Sequence, residues 1–243
     1  MSDTQSRNPF TSRGFIFGAI VFGILVLAAI LLAVTSLDSG GGQGTDMPAT
    51  TATPTSQASE LDADAASICG LPGLDESGSL AAAPDAEWTI VGTMAAPSSD
   101  DAGPGVVDAD GVRSCYAHTV EGAAFAVANL WAMGTDGRLS DLVTERLTVP
   151  GPGRDAALAR ETTQSNTGLS SQIAGVKVLA YDGQNATIDI AFQISDGRLI
   201  SFPYALSWSE GDWKFVLTDD GLPTFRPVTL QSLGGYLPWS GTT

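Results

Sequence analysis

Few residues in this chain have the chemistry for catalysis or metal binding, and their spacing narrows the choices. His118 is the single histidine, so any Ser-His-Asp triad or histidine metal site has to use it. No Gly-x-Ser-x-Gly turn accompanies it, and a His-Glu-x-x-His zinc helix would need a second histidine. It stands just ahead of a helix start and close to Cys115, which reads as a structural position. Asp100, Asp101, Asp108 and Asp110 crowd one loop, and Asp108-Ala-Asp110-Gly111 invites a calcium reading. An EF-hand loop starting at Asp108 needs a Glu at its last position, where Thr119 stands, so a solvated loop is the better reading. Pro150-Gly-Pro-Gly-Arg-Asp155 opens a helix and offers N–H groups to an anion, but it lacks the Lys and Ser/Thr of a phosphate loop. A helix-to-helix connection accounts for it. Asn185-Ala-Thr187 matches a glycosylation sequon, which matters only in a eukaryotic secretory pathway. These residues lead to no catalytic centre, no metal site and no cofactor, and the expectation is that the protein is not an enzyme.

The two cysteines, Cys69 and Cys115, are the remaining reactive groups. No Cys-x-x-Cys is present, and with one histidine a metal pair lacks further ligands. A disulfide is the favoured reading. It would close a loop of about 46 residues, worth roughly 4 kcal/mol in the chain-entropy account.

The elements that must position these groups begin with an apolar run. Phe15 to Val34 holds 20 residues without a polar side chain, enough for a helix to cross roughly 30 Å of hydrocarbon. Arg7 and Arg13 precede the run, and Asp38, Asp46 and Glu60 follow it, so the N-terminus is expected in the cytoplasm and the C-terminal bulk outside. A cleaved signal peptide would carry a shorter apolar region ending at a small-x-small site, and Ala33-Val-Thr35 is a poor one. Gly14 and Gly18 form a GxxxG pair and Ala19-xxx-Gly23 extends it, a spacing that lets two membrane helices approach. Such residues are also common in membrane helices that do not pair. The expected localisation is the cell membrane, single-pass, with an extracytoplasmic domain where disulfides persist.

The net charge of −16 repels phosphate backbones and excludes nucleic acid as a partner. The expected divisions are a cytoplasmic tail (1–13), a transmembrane helix (14–35), a Gly/Ser/Thr/Pro linker (36–65), a loop-rich part (66–118), and a helical block plus antiparallel sheet (119–243). Within 66–118, Trp88-Thr-Ile-Val-Gly92 reads as a strand.

Thr119 is a good N-cap, Glu121 sits in the first turn, and the stretch Ala123 to Met133 is apolar on nearly every face, which predicts a buried central helix ending near Gly134. Ser140 is expected to cap a second helix over 141–147, and a third is expected over 154–163. Alternation then sets in over 175–181, 186–194 and 199–208, followed by Trp213 to Leu217, with Asp182-Gly, Asp196-Gly and Glu210-Gly turns between. This predicts an α+β fold: three helices packed on a four-stranded antiparallel curved sheet. Phe125, Val127, Leu130, Trp131, Phe192, Trp208 and Trp213 are the expected core. The tail Leu233-Gly-Gly-Tyr-Leu-Pro-Trp-Ser-Gly241, aromatic between glycines and free of charge, fits an exposed binding segment or a cap over the sheet, and the cap is the favoured reading.

This order of elements, with the phrases Val120-Glu-Gly-Ala-Ala-Phe-Ala-Val-Ala-Asn129, Gly151-Pro-Gly-Arg-Asp-Ala-Ala-Leu-Ala159 and Gly211-Asp-Trp-Lys-Phe-Val-Leu217, resembles the bitopic inner-membrane scaffold subunits of type IV secretion and conjugation systems, as encoded on actinobacterial mobile elements. The resemblance implies a cystatin-like, nuclear-transport-factor-two-like cone. It also implies a scaffold role, with partners in the membrane, in other subunits of a complex and in further copies of the chain. It carries no catalytic residues. Two competitors stay open: a small-ligand-binding module using the cone, and an exported enzyme using a carboxylate within it. A cone filled by Phe125, Trp131, Phe192 and Trp208 would favour the scaffold.

Overall fold

The chain divides into two units, Met1–Gln57 and Ala58–Thr243. A computed structural model describes residues 66–160 and 170–241, all within the second. The expected membrane helix with Gly14, Gly18 and Gly23, and the linker, lie outside the described residues. Among those described, no helix is long and apolar enough to cross a membrane.

The segment expected to be loop-rich contains two small antiparallel ribbons. Strands β1 (Glu87–Val91) and β2 (Met94–Ser98) form the first, and β3 (Val106–Val107) and β4 (Arg113–Ser114) the second. Helix α1 (Val120–Gly134) follows, with Thr119 as its N-cap accepting from the Gly122 N–H. Helix α2 (Ser140–Leu147) starts one residue earlier than expected. Leu139, not Ser140, holds the cap position, and it makes no side-chain cap hydrogen bond. Helix α3 spans Pro152–Leu158, with proline in the first turn, where its missing N–H costs nothing.

The expected four-stranded sheet is corrected to six strands, with the two ribbons beside it. Strands β5 (Ser171–Tyr181), β6 (Asn185–Ile194), β7 (Leu199–Ser209) and β8 (Asp212–Phe215) form the anticipated meander. Two further strands come from the tail. β9 (Val228–Leu230) pairs with residues 199–201 of β7, and β10 (Leu237–Pro238) pairs with Gly175 and Val176 of β5. A four-stranded cone therefore does not describe this domain. The extra strands are two and three residues long and lie among Gly, Pro and Ser, too short to show alternation.

The register places Ile188, Ile190 and Phe192 of β6 opposite Tyr204, Phe202 and Ile200 of β7, on the face that packs against α1. Asp189, Ala191 and Ser201 point to the opposite face. Because β9 and β10 bind on either side of β6, residues 231–236 must cross that opposite face as a strap. Gly175 makes room for it: a Cβ there would stand 3.1 Å from Tyr236 Cβ. The strap then turns the β5 edge, and Trp239 enters the core against Phe125 and Trp88, each with ring centroids 5.3 Å away.

Candidate functional site

His118 is held on all sides. Its ring stacks on Trp208 at 3.8 Å, meets Trp213 edge-on at 5.6 Å, and places Nε2 2.5 Å from the Gly183 carbonyl oxygen. The β7–β8 hairpin positions both tryptophans through direct cross-strand pairing of Trp208 with Trp213. Glu210 and Gly211, at φ 57° and 74°, form the turn that brings the two rings together edge-on, with centroids 5.2 Å apart. Trp213 Nε1 donates to the Ala117 carbonyl at 3.0 Å, so the histidine sits inside an aromatic and hydrogen-bonded frame.

Asp212, read from the sequence only as a turn residue, is buried beneath that frame. Its carboxylate accepts the N–H groups of Cys115 at 2.8 Å, Tyr116 at 2.9 Å and Trp213 at 2.8 Å. Burial pushes its carboxyl above the usual range even against those donors. This one side chain ties the β8 start to the chain just before α1. Cys115 has a left-handed φ of 63°, a conformation a side chain resists, and the bonds to Asp212 on one side and to Cys69 on the other hold it there. Cys69 and Cys115 form a disulfide with a Cα separation of 6.1 Å.

The acidic loop is organised by its own backbone. Asp108 Oδ1 accepts the N–H groups of Asp110, Gly111 and Val112, each at 2.9 Å, and Arg146 of α2 pairs with both Asp108 and Asp110. Asp100 and Asp101 line an open cleft of about 460 Å³ with Asp85, Glu87, Ser98 and Ser99. Among the described residues, no group of three acidic, His or Cys side chains is placed to hold a metal ion. The N-terminus of α1, another anion site in principle, is filled from within: Val120 N–H donates to Asp75 at 3.2 Å. Gly153 in the Pro-Gly-Pro-Gly segment is needed for packing, since a Cβ there would lie 2.6 Å from the Thr218 carbonyl oxygen. Asn185 opens β6, with its amide on Asp182.

Two buried polar clusters had no sequence signal. In one, Arg113 donates to Asn129 and Thr89. In the other, Tyr236 of the strap donates to Asp189 at 2.5 Å, while Asp189 Oδ1 is buried without a hydrogen-bond partner among the described residues. Burial pushes the Asp189 carboxyl up, against Tyr236, Ser201 and the cross-strand Lys177, and pushes the Tyr236 phenol up to about 12.

Of the expected core, Phe125, Val127, Phe192, Trp208 and Trp213 are buried, and Leu130 and Trp131 are partly buried against them. Trp131 lies 5.1 Å from Phe192 and 4.9 Å from Phe202 between ring centroids. The space between α1 and the sheet is thus occupied by side chains.

A family model described as a domain of unknown function, DUF8175, matches residues 49–238. The chain belongs to the DUF8175 family. The DUF8175 match runs through the strap as far as Pro238, so β9 and β10 fall within the family's domain. No curated protein and no solved structure matches the chain.

Proposed function

We propose that this chain is a single-pass membrane protein whose extracytoplasmic domain acts by protein contact, as a scaffold or assembly subunit of a conjugation or type IV-like secretion apparatus. The observation that carries the reading is the filled interior: Phe125, Trp131, Phe192 and Trp208 occupy the helix–sheet space that a ligand-binding or catalytic site there would keep open. The groups able to do chemistry are bound into the framework, His118 by its aromatic stack and Asp212 by three backbone donors. The disulfide supports an oxidising compartment, and the apolar run after Arg7 and Arg13 supports an N-terminus on the cytoplasmic side.

The test has two arms in the native host. A reporter fused after Gly44 should be active only outside the cytoplasm. Deleting residues 66–241 should abolish transfer or secretion, while Asp110→Asn should leave it intact. Loss of activity in Asp110→Asn with membrane assembly unchanged would overturn the scaffold reading in favour of a site in the acidic loop.

A further inference from the structure

The two sulfurs of the disulfide lie in unequal surroundings. Cys69 is exposed at the start of the described domain, whereas Cys115 is buried. Cys115 Sγ accepts the Cys69 backbone N–H at 3.1 Å, and Ser67 Oγ lies 3.2 Å from it, against 3.7 Å from Cys69 Sγ. The buried Ser67 hydroxyl has a single proton, which it donates to the Tyr116 carbonyl at 3.0 Å. A disulfide sulfur is a weak acceptor, so the carbonyl keeps that proton while the bond is intact. A thiolate is a strong acceptor, and the hydroxyl needs only to rotate to reach it.

We propose that Cys69–Cys115 is an exchange-active disulfide, attacked by a dithiol reductant at Cys69 and releasing Cys115 as the leaving group. The reductant's thiolate attacks Cys69 Sγ, the S–S bond breaks, and Cys115 Sγ departs with the electron pair into the Ser67 and Cys69 donors. The reductant's second thiol, as thiolate, then attacks its own sulfur in the mixed disulfide and frees Cys69. Two electrons pass to the protein, the dithiol becomes a disulfide, and its two protons end on Cys69 and Cys115. The inference does not depend on the scaffold reading.

The experiment uses the full chain in detergent. Limited exposure to reduced glutathione, acid quenching and peptide mapping should find the mixed disulfide on Cys69. The rate of reduction by dithiothreitol, without denaturant, should fall about three- to tenfold in Ser67→Ala and return toward the original in Ser67→Thr. Mere loosening of the fold would speed reduction instead. An adduct on Cys115, resistance of the native protein to dithiothreitol, or an unchanged or faster rate in Ser67→Ala would overturn the proposal.

Discussion

Arg113 Nη1 donates to Asn129 Oδ1 at 2.8 Å in the interior of the domain. The acceptor is a neutral amide in the middle of α1, and both residues are buried. The Asn129 amide nitrogen donates in turn to the carbonyls of Phe125 and Pro97, each at 2.9 Å, so its hydrogen-bonding capacity links α1 to β2. Arg113 reaches on to Thr89 Oγ1 at 3.0 Å, linking β4 to β1. One polar pair thus joins the two ribbons to the helix that covers the main sheet.

Truncating Asn129 to Ala should remove the acceptor of Arg113 Nη1 and the side-chain donor to the Pro97 carbonyl, leaving the buried guanidinium only Thr89, and cost about 2–4 kcal/mol. Urea unfolding measures the loss. The double change Arg113→Met, Asn129→Leu should recover part of it, because replacing both polar partners removes the unpaired charge. A double variant as unstable as the sum of the two singles would refute the pairing.

Asp189 makes stability depend on pH. Burial raises its folded-state value above the unfolded one, so its favourable contribution is complete below the unfolded value of about 3.9 and is lost as pH rises through the folded value. Asp189→Asn keeps an acceptor for Tyr236 and removes the charge. It should melt at or above the parent's temperature at neutral pH, with the difference shrinking toward about pH 3.5. A variant less stable at neutral pH and equal in acid would show that Lys177 and Tyr236 make the ionised form the favoured one.

Trp239 anchors the strap: its indole packs on Phe125 and Trp88, and Nε1 donates to the Pro84 carbonyl at 2.9 Å. Trp239→Ala should cost about 3–5 kcal/mol by opening a cavity. Hydrogen exchange should show β10 and the outer edge of β5 losing protection first. Unchanged protection there would mean the strap holds without its anchor.

Cys115→Ser should destabilise the domain by about 2–5 kcal/mol, and Cys69→Ser by a similar amount, since each removes the same bond. Alkylation of the unreduced, denatured parent should label neither cysteine. Labelling of both would refute the bond.

The meander was legible because three of its strands run ten or eleven residues and turn one apolar face toward α1, which imposes alternation between Asp-Gly and Glu-Gly turns. The central helix was legible for the same reason: Ala123, Phe125, Val127 and their neighbours are apolar because α1 is enclosed on nearly every side. Asn129 gave no signal of its own in that run, because its partner Arg113 lies on another element, 16 residues earlier. Asp212 looked like any turn aspartate, because the three N–H groups it binds come together only when β8 meets the chain before α1.

By itself, the sequence determined the buried helix, the long strands and the candidate cysteine pair. Each of these depends on local composition or on a period of two or 3.6 residues. Only the tertiary structure decided that the sheet has six strands, that the tail pairs with both β7 and β5, and that His118 stacks on Trp208 with Trp213 at its edge. Those features depend on which distant backbone edges and side chains come within a few ångströms of each other, and a strand of two or three residues carries no period from which to read its partner.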